Sequence, residues 1–140
     1  MATSWSLTID CASPTTLAAF WTAALGYEPA PPPEGWTTWD DWFDHHDVPP
    51  SERDGGAFVH DPADAAPSIS FLRVPEAKTV KNRMHLDLAV GGGRHVDPDL
   101  RRTRIDAEVQ RLTGLGATVL WDVPDHVTMA DPEGNEFDVL

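Results

Sequence analysis

The stretch that decides the fold is Ser4-Trp5-Ser6-Leu7-Thr8-Ile9-Asp10-Cys11, and its pattern returns as Met84-His85-Leu86-Asp87-Leu88-Ala89-Val90. In the first, Leu7, Ile9 and Cys11 fall on one face and Ser6, Thr8 and Asp10 on the other. In the second, Met84, Leu86 and Leu88 point one way, His85 and Asp87 the other. Side chains alternate along a strand with period two, so each stretch predicts a strand with an apolar face and a polar face. The parity is shared: Ser6, Thr8 and Asp10 correspond to His85, Asp87 and Ala89.

The segments after the two strands match as well. Ser13-Pro14 predicts an N-cap with proline at the first helical position, Leu17, Phe20, Trp21, Ala24 and Leu25 recur at helical spacing, and Gly26 ends the helix. In the second half, Gly91-Gly92-Gly93 breaks the strand. Asp97-Pro98 or Asp99 then opens a helix with Ile105, Val109 and Leu112 on one face, closed by Gly114 and Gly116. Later strands are expected at 57–60 and 68–74, and at 117–121, 127–130 and 136–140. Each half ends in a hairpin turning at an Asp-Pro pair, Asp61-Pro62 or Asp131-Pro132. Residues 29–56 are rich in proline, acid and tryptophan and predict mostly loop, with one short strand near Thr37-Thr38-Trp39. Strand, helix, then strands, given twice, defines an α+β fold. A repeat this short is not expected to bury its apolar face alone. Packed together, the two are expected to form one domain over 1–140, a curved sheet with a polar inner face and a cleft.

Composition narrows the function. The chain has 140 residues, 41% of them apolar and 24% charged, which suits one ordinary globular domain. Cys11 is the only cysteine, so there is no internal disulfide and no Cys-rich metal site; it reads as a small buried hydrophobe. The first residues lack the charged and apolar regions of a signal peptide, and no apolar run reaches membrane-spanning length. A soluble, cytoplasmic protein is the expectation. The net charge of −13 argues against nucleic acid, whose phosphates need Lys and Arg. It is compatible with a cationic ligand, but the stronger reading is a charge that simply keeps the protein in solution.

Three stretches carry a family resemblance: Leu7 to Cys11 through Phe20-Trp21 and Leu25-Gly26-Tyr27; Val74-Pro75-Glu76 through Lys81-Asn82-Arg83-Met84-His85-Leu86-Asp87-Leu88; and Asp131-Pro132-Glu133-Gly134-Asn135-Glu136-Phe137. Together they resemble the vicinal oxygen chelate superfamily, in its glyoxalase, bleomycin resistance and dioxygenase branch, over the whole chain except 29–56. The resemblance implies two βαβββ modules, about 4–75 and 84–140, forming a mixed sheet around a cleft, with helices on its outer face. It further implies a homodimer and a small-molecule ligand, with a divalent metal ion as cofactor in the metal-dependent members. The first and last strands of each module supply the metal ligands in that family. Carried over, these positions are Ser6 and His85 for the first strands, Asp138 for the last strand of module two, and Phe71 or Arg73 for that of module one. His85 and Asp138 suit a divalent ion. Ser6 is a poor ligand and Phe71 or Arg73 is none, so the metal set reads as incomplete.

The residues admit several roles. His85 with Asp87 is the candidate catalytic pair, as metal ligand or general base, against the alternative of a satisfied cleft histidine. Glu136 and Asp138, with Asp10 and Asp87, place four carboxylates towards one cavity, with Arg73 offsetting one of them; the alternative is that some face solvent. Trp39 and Trp42, beside Trp36 and Phe43, offer faces to a cationic or planar aromatic ligand, or else plug the sheet or a dimer contact. His45-His46 reads as part of a solvated acidic loop, and Lys78, Lys81 and Arg83 as a connector packed on acidic neighbours. Two functions are open: a small-molecule-binding protein with an incomplete metal site, sequestering a ligand or running a lyase- or isomerase-type reaction, or a metal-dependent lyase or dioxygenase using His85 and Asp138.

Overall fold

β1 (Leu7–Cys11) leads into α1 (Pro14–Leu25), β2 (Glu28–Pro29), α2 (Trp39–His45), β3 (Gly56–His60) and β4 (Ile69–Arg73) in a computed structural model that describes all residues, 1–140. The sheet order is β1-β4-β3-β2, with β1 parallel to β4 and the other pairs antiparallel. β5 (Leu86–Leu88), α3 (Pro98–Leu115), β6 (Thr118–Val123), β7 (His126–Ala130) and β8 (Glu136–Val139) repeat that order as β5-β8-β7-β6, with β5 parallel to β8. The two sets fall in separate compact units, Met1–Ala77 and Lys78–Leu140. Two four-stranded mixed sheets with helices make the protein α+β, as the alternating strands predict.

In each unit a helix covers the apolar face of the sheet. α1 packs on β3 and β4, burying Leu17, Phe20 and Trp21 against Val59, Ile69 and Phe71. It ends at Gly26, whose φ of 70° is the left-handed geometry glycine tolerates best. Ser13 does not cap it through its side chain; its hydroxyl donates to Thr16 Oγ1 instead. α3 packs on β6, β7 and β8, burying Ile105 and Leu112 with Val127, Met129, Phe137 and Val139. Asp97 caps it, accepting from the N–H groups of Asp99 and Leu100. Neither α1 nor α3 is long and apolar enough to cross a membrane.

Three local expectations are corrected. Thr37-Thr38-Trp39 is not a strand: Thr38 caps α2, its Oγ1 accepting from Asp41 N at 3.0 Å, and the short strand lies earlier, at β2. β5 starts only at Leu86, and Met84 is 80% exposed instead of facing the core. In β4, Ile9 pairs with Phe71 and Cys11 with Arg73. Paired residues share a face, so Phe71 and Arg73 lie on the helix-covered side and Ser70, opposite Thr8, lies on the polar side.

Candidate functional site

β8 lies between β5 and β7, so its side chains are hemmed by neighbours on both flanks. Phe137 and Val139 are fully buried in the core, which turns Glu136 and Asp138 to the opposite face. The register sets Asp87 beside Asp138 on one flank and Thr128 on the other. His85, two residues before Asp87, points to the same face.

These side chains converge. His85 Nδ1 stands 2.9 Å from Asp138 Oδ2 and 3.2 Å from Asp87 Oδ1. One imidazole and two carboxylates offer ligand atoms all within 4.8 Å of one another. The Asp138 side chain is only 13% exposed, and a carboxylate so placed needs partners. The Thr128 hydroxyl donates to its Oδ1, which leaves Oδ2 turned to His85. His85 and Asp87 are far more open, at 43% and 57%, so the group can be reached from outside the unit. The donor set fits a divalent cation that takes nitrogen and oxygen ligands, and three protein ligands is the usual number at a catalytic site.

The same face continues past Asp138. Lys81 forms an ion pair with Glu136, whose side chain is 10% exposed, and its ammonium lies 5.3 Å from the centroid of the Trp121 ring. Trp121 pairs with Thr128 across β6 and β7 and so belongs to this face.

Of the residues singled out from sequence, His85, Asp87, Asp138 and Glu136 are thus brought onto one face of one sheet. Asp10, Arg73, Trp39 and Trp42 lie in the first unit. Asp10 is exposed, opposite Leu72. Arg73 pairs with Asp54 at 2.8 Å and holds that carboxyl below its ordinary value. It therefore offsets Asp54, not one of the four carboxylates expected to share a cavity. Trp39 stacks on Phe58, with ring centroids 5.1 Å apart, and its indole N–H donates to Ala30 O. Trp42 stacks on His46 at 4.1 Å. Trp39 also lines an apolar cavity of about 420 Å³ with Ala18, Phe43 and Phe58. Sequence reasoning missed Thr128 and Trp121 altogether. Lys81 does pack on an acidic neighbour, as expected of the connector.

The chain belongs to the glyoxalase-like domain family, whose model matches residues 6–140. No curated protein matches it in sequence. Among solved structures it is similar to a possible glyoxalase from Bacillus cereus, at 13% identity and a TM-score of 0.62, covering 100% of this chain and 99% of that one. It is also similar to the fosfomycin resistance protein FosX from Mesorhizobium loti, at 10% identity and a TM-score of 0.64, covering 99% and 90%. FosX from Listeria monocytogenes, complexed with Mn(II) and 1S,2S-dihydroxypropylphosphonic acid, matches at 11% identity with a TM-score of 0.61, again covering 99% and 90%. At such identities the likeness is one of fold.

Proposed function

We propose that the protein binds a small oxygen-rich molecule on the polar face of the β5-β8-β7-β6 sheet, through a divalent metal ion held by His85, Asp87 and Asp138. The observation that carries this is the convergence of those three side chains. The expectation of an incomplete set counted one ligand from each of four strand positions. Asp87 supplies a third ligand from a strand already counted, so Ser6 and the last strand of the first unit are not needed to reach three.

When bound there, a divalent ion would polarise adjacent oxygens of the ligand. The chain's own residues do the rest. Thr128 orients Asp138, as hydrogen-bond partners of metal ligands commonly do. His85 Nδ1 lies within reach of both carboxylates. A metal takes the neutral imidazole and ionised carboxylates as ligands, so affinity is expected to fall as pH falls. The Mn(II)-bound FosX neighbour supports the class of ligand, an oxygen-bearing small molecule, without identifying it. A loaded site serves either sequestration of the ligand or a lyase- or isomerase-type reaction on it.

The test is a thermal unfolding series on chelator-treated protein. A ligand that binds only the folded state raises the melting temperature in step with its concentration. Mn²⁺, Zn²⁺ or Ni²⁺ is expected to do so for the wild type and not for His85→Ala. An equal rise in both would place any metal elsewhere.

A further inference from the structure

Lys81 is one of ten basic residues in a chain of net charge −13, and its position is specific. It lies on a connector with no helix or strand, and its side chain is 64% exposed. Yet its ammonium is held at one point, between the Glu136 carboxylate and the face of Trp121. An aromatic face and a carboxylate around one point form the arrangement that recognises an organic cation. The carboxylate is 10% exposed, whereas Trp121 is 50% exposed. One wall of this seat is therefore open to a ligand and the other is already sheltered. Lys81 gives up the rotamer freedom of a long side chain to stay there, which makes it easy to displace.

We propose that Glu136 and Trp121 form a recognition site for a ligand's alkylammonium group, and that Lys81 occupies it as an internal competitor until such a ligand arrives. The site lies on the same sheet face as His85, Asp87 and Asp138. Glu136 and Asp138 are two residues apart on β8, about 7 Å along the strand. A molecule with an oxygen donor at one end and an amine about 7 Å away would span both. The ammonium site goes beyond the proposed metal site and does not need it.

The test is an NMR titration, in chelator-containing buffer, of the Trp121 indole N–H, assigned by its loss in Trp121→Leu. The probe is n-butylammonium, which copies the end of the lysine side chain, with 1-pentanol as its neutral counterpart. Removing a tethered competitor should tighten binding, so Lys81→Ala is expected to bind n-butylammonium at least about fivefold more tightly than the wild type. Lys81→Gln is expected to move in the same direction. Adding Glu136→Gln to Lys81→Ala should cancel the gain, and 1-pentanol should shift nothing. Affinity in Lys81→Ala equal to or weaker than in the wild type would overturn the proposal, as would equal binding of 1-pentanol. Because no metal is present, failure here leaves the metal site standing, and failure of the metal site leaves this result standing.

Discussion

At the scale of the residue, the site turns on how Asp138 is held. Its two oxygens are divided between Thr128 and His85. Thr128→Val removes the hydroxyl and keeps the shape, so the fold is expected to survive while metal affinity drops roughly 10- to 100-fold, as for other partners of metal ligands. Competition with a chromophoric chelator measures this. Affinity equal to the wild type would show that Thr128 does not orient Asp138. His85 and Asp138 could be found from sequence because each is a polar residue in an alternating stretch, at a position the family resemblance picks out. Thr128 could not. Threonine is an ordinary strand residue, and only the pairing of β7 with β8 puts it beside Asp138. The partner of Arg73 could not be read either, because Asp54 lies in the segment between α2 and β3 and only the folded chain brings the two together.

Among the elements, the two Asp-Pro turns show the repeat most directly. Asp131 is 3% exposed, and its carboxylate accepts from the backbone N–H groups of Glu133 and Asn135 and from the Asn135 amide. Asp61 does the same for Ala63 and Ala65. Both turns place their fourth residue in the left-handed region, Asp64 at φ 51° and Gly134 at φ 88°. Asp131→Ala leaves several donors unpaired and is expected to cost about 2–4 kcal/mol in urea unfolding, given about 1–3 kcal/mol for each buried group left unsatisfied. A loss within experimental error would mean the turn holds without its carboxylate. Asp61 is held below its ordinary value of 3.8, chiefly by the Ala63 N–H. A lowered value stabilises the fold above 3.8, and the benefit is lost as pH falls through the lower folded-state value. The deficit of Asp61→Ala, read as a shift in urea midpoint near neutral pH, should therefore fade in acid; a constant deficit would count against this. These turns were legible because Asp-Pro signals them directly. α2 was not, since prolines and acidic residues mask a short helix. Its signal was local: Thr38 before Asp40 and Asp41, which favour a helix start, with His45 in the last turn.

Taken as a whole molecule, the chain repeats its architecture and divides its chemistry. The strand orders β1-β4-β3-β2 and β5-β8-β7-β6 correspond one for one, and that much was legible from parity and turn position. The positions of Ser6, Thr8 and Ser70 in the first unit are taken by His85, Asp87 and Asp138 in the second. A hydroxyl set makes a weak site for a divalent ion, and an imidazole with two carboxylates makes a good one. Each chain should therefore take one metal ion and not two. Isothermal titration of chelator-treated protein with Mn²⁺ tests this most directly, run on the wild type and on Asp138→Asn. The predicted result is saturation at one equivalent per chain in the wild type, with affinity at least about tenfold weaker in the variant. No saturable binding, or the same isotherm from both proteins, would contradict it.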